Sequence, residues 1–200
     1  MPVNRRTQAE RSAATREALV SAATTLFAEH GYGGVGTETI VAAAGVTRGA
    51  LYHQFADKSE LFAAVFEAME MDLAQRLGAQ VLADAATDPV AALESGADAW
   101  LDVCAEPAVQ QILLLDAPTV LGWARWREIG LRHAGALVES ALQAGIDAGM
   151  ITPQPVRPLA HVLIGALDEG ALYCARADDP EAAREQTRAV FRRLLSGLLA

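Results

Sequence analysis

Arg48, Gly49, Tyr52, His53 and Gln54 put a cation, a bare backbone position and three hydrogen-bonding side chains on one short segment. Such groups bond phosphate oxygens and the donor and acceptor edges of bases. To act together they must share an outward face, and the apolar spacing provides one. Leu51 and Phe55 fall four apart on a helix and turn inward, which leaves the polar set outside. Thr47 can cap this helix, because its hydroxyl can accept a free backbone N–H at the first turn. Gly49 costs a helix about 1 kcal/mol relative to alanine, and close approach of the helix backbone to DNA would explain it. Thr37, opening the preceding helix, can hold phosphate with its hydroxyl and nearby free N–H groups. Lys58 is placed to clamp a further phosphate from the helix that follows.

The elements that position these residues are short. Ile40, Val41 and Ala44 give one helix an apolar face, Gly45 supplies a turn, and the Thr47-capped helix follows. Two short helices across a tight glycine turn have the shape of a helix-turn-helix. Before them, Thr7-x-x-Glu10 is a capping-box pattern that opens a helix through Leu19, Ala23, Leu26 and Phe27, ending at His30-Gly31. After them, Asp57-x-x-Glu60 opens a fourth helix through Leu61, Phe62, Val65, Phe66 and Met69. Gly36 stands where a capping serine or threonine would be stronger. The arm Arg5, Arg6 and Arg11 reads as a solvated tail within reach of DNA.

The segment Gly31-Tyr32, Ile40 through Tyr52, Phe55, Lys58 and Leu61-Phe62 resembles the N-terminal domain of the TetR/AcrR family of bacterial transcription regulators. The likeness covers about the first third of the chain, from Thr15 to Phe66. It implies an all-α protein: a three-helix helix-turn-helix domain over residues 1–56 and a larger helical effector-binding and dimerisation domain over 57–200. It further implies a homodimeric repressor that leaves a near-palindromic double-stranded DNA operator when a small organic effector binds. Gln54 departs from the family pattern, which usually has His or Tyr before the Phe, and it brings no charge to a phosphate.

Composition limits the alternatives. A hydrophobic fraction of 52% is ample for a core, and no apolar run reaches the length of a membrane span. The N-terminus lacks the apolar stretch of a secretory signal, so a cytoplasmic protein is expected. Cys104 and Cys174 form no C-x-x-C pair and no metal-ligand spacing, and read as reduced, packed thiols. No metal and no cofactor is implied. The net charge of −9 is unevenly spread: residues 1–60 hold six basic and six acidic side chains, and the remainder hold ten and nineteen. An acidic body repels DNA and restricts docking to the face that presents cations.

Beyond residue 85 proline punctuates the helix starts. Pro89 opens a helix to about Cys104, Pro107 one through Leu115, and Pro118 a long one ending near Gly149. Pro155 or Pro158 and then Pro180 open the last two. On these, Leu159, Val162, Leu163, Ala166, Leu167 and Gly170 form one stripe, and Val190, Leu194, Leu195, Leu198 and Leu199 another. Two copies could pair them as a four-helix bundle, or both could serve the intrachain core. Trp100, Asp116, Trp123, Trp126, Arg127, His161, Glu169 and Tyr173 supply the aromatic walls and sparse polar groups of an effector pocket, or part of the core. Glu94, Asp98 and Asp102 line one helix face, as a solvated stripe or a lure for a cationic effector. The rival readings are an enzyme using the C-terminal domain and a helical protein-interaction module. Against the enzyme, no G-x-S-x-G, H-E-x-x-H, phosphate loop or Cys–His arrangement occurs.

Overall fold

Both halves of the capping box form at Thr7: its hydroxyl accepts the Glu10 N–H at 3.2 Å, and its own N–H donates to the Glu10 carboxylate at 2.6 Å. Helix α1, Gln8–Gly34, starts there. The computed structural model describes residues 7–85 and 88–200, with backbone alone for 79–85. Arg5 and Arg6 of the basic arm lie outside the described residues. The regular part of α1 ends at Gly31, whose φ of 67° is left-handed and costs glycine nothing. Helices α2, Thr37–Ala43, and α3, Arg48–Gln54, follow, joined through Gly45 at φ 65°.

Leu19, Phe27, Ile40, Leu51 and Phe55 are buried together with Leu61, Phe62 and Phe66 of α4, Lys58–Ala85. The same apolar cluster continues through Leu101, Ile112, Trp126 and Ile129, so α4 belongs to the interior of both ends of the molecule. A second cluster gathers Leu93, Leu142, Ile151, Leu163, Phe191 and Leu195. It is built by α5 (Pro89–Val103), α8 (Ala136–Asp147), α9 (Val156–Ala175) and α10 (Pro180–Ser196). Asp88 and Asp179 cap α5 and α10 through their carboxylates, with proline in the first turn of each.

The long helix expected from Pro118 to Gly149 is divided. Helix α7, Ala117–Gly130, carries a left-handed Gly122 at φ 73°, which turns the chain one turn after Pro118. A π-helical segment, Leu131–Gly135, then leads into α8. Likewise α6, Pro107–Val109, runs directly into a π segment, Gln110–Asp116. Hydrophobic spacing fixes the buried side of such a stretch but is blind to one extra residue per turn. Among the described residues no strand occurs, only an isolated bridge between Ile151 and Leu199.

Candidate nucleic-acid interface and effector cavity

The helix-turn-helix presents its polar groups as the spacing required. Thr47 accepts the Ala50 N–H at 3.2 Å and caps α3, while Leu51 is fully buried and Arg48, Gly49, Tyr52 and His53 are exposed. The Arg48 guanidinium lies 5.6 Å from the Tyr52 ring centroid and 3.3 Å from Glu38 of α2. Both partners of that ion pair are solvated, so it holds Arg48 weakly. A β-carbon at Gly49 would meet nothing nearer than the Thr47 hydroxyl at 4.0 Å. Nothing within the chain therefore demands glycine there. Thr37 is half-buried at the first position of α2, behind Gly36, which gives no side-chain cap.

Two residues expected at DNA are tied within the chain. The Lys58 amine donates to the carbonyls of Tyr32 at 3.0 Å and Val35 at 2.9 Å and sits 3.9 Å from the centre of the Tyr32 ring. It caps the C-terminal end of α1, where carbonyls lack helical donors and favour a cation. Gln54 donates to the Ser12 hydroxyl at 2.7 Å, which ties α3 to α1. Asp116, expected at an effector, instead accepts the Tyr32 N–H at 2.7 Å. Arg125 of α7 forms a two-pronged pair with Glu60 at 2.5 and 2.9 Å. The first of these contacts joins the helix-turn-helix end of the chain to the helices that follow it, and the second ties α7 to the first turn of α4. Burial and the nearby Asp57 charge hold the Tyr32 phenol above its ordinary range.

A cavity of about 120 Å³ opens between α4, α5, α8 and α9. Of the residues expected at an effector, Trp100 alone lines it. Trp126 is core, and Trp123, Tyr173, His161 and Glu169 are exposed, Trp123 with two-thirds of its surface free (66%). Arg127 stacks over Trp126 and Trp123, with centroid distances of 4.5 and 5.0 Å, and pairs with Asp168 of α9 at 2.6 Å. The acidic stripe on α5 stays partly solvated, with Asp102 exposed, and two of its carboxylates are engaged by arginines of α10. Asp98 pairs with Arg192, and Asp102 with Arg188, which clamps α5 to α10. Among the described residues no group of His, Cys, Asp or Glu side chains gathers to hold a metal.

Sequence reasoning missed Glu70, which lines the cavity at only 7% exposure. Burial, reinforced by the Asp168 charge and opposed by Arg127, pushes its carboxyl up to about 8. Asp168 rises to about 6, because burial outweighs its bond to Arg127. A signal did exist. Glu70 falls four residues after Phe66 and three before Leu73, inside the buried stripe of α4, where a carboxyl has no place without a reason.

The two terminal stripes divide between core and surface. Leu163 and Leu195 are buried, whereas Val162, Val190 and Leu194 stand exposed on α9 and α10 beside Tyr173. Gly170 faces Thr187, where a β-carbon would sit 2.8 Å from Cγ2, so this glycine serves the close packing of α9 on α10 within one chain.

Comparison with known proteins agrees with this architecture. The Tn10 TetC protein of Escherichia coli is 26% identical over 202 residues, covering 98% of both chains. The crystal structure of a TetR-family transcriptional regulator from Pectobacterium atrosepticum is 34% identical, covers 98% of each chain and superposes with a TM-score of 0.82. RolR, solved with resorcinol bound, shares the fold at 21% identity and a TM-score of 0.76, covering 94% of this chain and 90% of its own. The family model described as bacterial regulatory proteins, tetR family, matches residues 19–65, and that described as tetracyclin repressor-like, C-terminal domain, matches residues 90–198. With these two models together matching more than half of the chain, the protein belongs to the TetR family of bacterial transcription regulators.

Proposed function

We propose that the protein is a homodimeric repressor that leaves its operator when a small organic molecule enters the cavity. Residues 1–56 read DNA, and residues 57–200 hold the effector and the second subunit. The observation that carries this reading is the outward face of α3, where Arg48, Gly49, Tyr52 and His53 stand exposed. Gly49 there has no intrachain reason to be glycine. Arg48 bonds a base edge or phosphate, Tyr52 and His53 donate to phosphate, and Gly49 lets the backbone approach. Thr37 and Thr47 add the free N–H groups at the starts of α2 and α3.

One such face makes few contacts, and a two-fold pair doubles them on a near-palindromic site. Exposed Val162, Tyr173, Val190 and Leu194 supply an apolar surface for that pairing. The Asp116 bond to Tyr32 couples the helices of the effector-binding part to the reading unit. Selection of bound sequences from a random DNA pool tests the reading, followed by Arg48→Ala and Tyr52→Ala on the selected site. Sequence-specific retention that disappears in both folded variants, and weakens steeply with salt, supports it. No preference over scrambled competitor defeats it.

A further inference from the structure

The cavity wall is apolar except at Glu70 and at the indole N–H of Trp100, which is buried without a hydrogen-bond partner. Leu73, Leu93, Leu137, Leu163 and Ile164 line it with Trp100. Its volume of about 120 Å³ is close to that of cavities, on the order of 150 Å³, that hold one benzene ring. The ligand is therefore compact. Glu70 is more than nine-tenths buried, and no described residue hydrogen-bonds its carboxyl. Ionised, it would leave the buried charges around it out of balance. Two carboxyls, Glu70 and Asp168, share one guanidinium, Arg127, and Arg127 is bonded to Asp168 at 2.6 Å.

We infer that the cavity selects a one-ring organic cation, an aryl-alkyl amine in type, with Glu70 as its counter-charge. The inference rests on the cavity being the effector site. An anion would meet the Glu70 carboxyl and no cation among the lining residues, since Arg127 lies outside the wall and is bonded to Asp168. A neutral alcohol would gain one ordinary hydrogen bond, whereas an ammonium gains a charge-assisted bond and the attraction of the Trp100 ring.

Without ligand, Glu70 keeps its proton at neutral pH, since burial holds its carboxyl at about 8. The incoming ammonium replaces that proton, which leaves to solvent, and the buried charge is unchanged. The groups around Glu70 are Asp168 from α9, Arg127 from α7 and Cys104 from α5, the last a thiol kept protonated by burial. His133, on the π segment before α8, directs Nε2 toward Glu67 at 4.0 Å.

Calorimetry of the full-length protein at about pH 7 with benzylamine, benzyl alcohol and benzoate separates the possibilities. Benzylamine should bind about tenfold tighter than the alcohol, with benzoate weakest. Its heat should vary with buffer ionisation, because a proton is released. Glu70→Gln should bring amine and alcohol to similar affinity. Ala97→Leu, which fills the cavity from α5, should remove binding of all three. Equal or tighter binding of the alcohol, or an amine preference that survives in Glu70→Gln, overturns the inference. So does absence of binding by every probe while the protein still retains operator DNA, a result that leaves the DNA-reading assignment standing. Benzylamine binding without release of DNA keeps the ligand class and defeats induction instead.

Discussion

Glu70→Gln should stabilise the protein, and the gain should grow with pH. An unfolded chain ionises this carboxyl near its ordinary 4.5, while the folded chain holds the proton to about 8. Between those values the folded state binds the extra proton, so stability contributed by Glu70 is fully present below the lower value and is lost as pH rises through the upper one. Fully developed, the loss is about 5 kcal/mol, since each unit of difference is worth about 1.4 kcal/mol. Glutamine keeps the shape and never ionises. The advantage of the variant should therefore widen by about 3 kcal/mol between about pH 6 and about pH 9. Asp168, raised to about 6, is still half protonated at the lower edge of that window, but it is present in parent and variant alike, so the difference between them reports Glu70. Urea unfolding at the two pH values, at one fixed protein concentration, reads the difference directly. A constant offset between variant and parent would refute the premise that Glu70 is neutral and buried in the folded chain.

Gly49→Ala should leave the fold intact or stabilise it by up to about 1 kcal/mol, because a β-carbon there meets open space, and yet abolish operator binding. Thermal melting and gel retardation of the same preparation check both halves; a variant that binds DNA normally removes the close-approach argument. Asp116→Ala leaves the Tyr32 N–H without its partner and should cost about 1.5–3 kcal/mol, seen as a lower unfolding midpoint together with weaker operator affinity. Leu194→Glu, on the exposed face of α10, should yield monomers in sedimentation, whereas an unchanged dimer would move the subunit interface elsewhere. Arg125→Ala should cost no more than about 1 kcal/mol, since its pair with Glu60 is two-fifths exposed on each side, at 41% and 43%.

The sequence by itself determined what depends on near neighbours. Thr7 and Glu10, Thr47 and Ala50, and Asp57 with Glu60 are caps spanning three residues, and each forms as its spacing predicts. The inward pair Leu51 and Phe55 follows from helical geometry alone, and it fixes which side chains of α3 face out. The outward face of α3 was legible for that reason. Tertiary structure decided the destinations of charges. Lys58 turns back to carbonyls 23 and 26 residues earlier, and Asp98 and Asp102 find arginines 94 and 86 residues later. It also decided the cavity, placing Glu70 beside Asp168 and Arg127 and leaving most of the tryptophan cluster outside the wall. Caps and periodicity act over one or two turns, whereas the partner of a charge is set by which helices pack together, and no spacing along the chain records that.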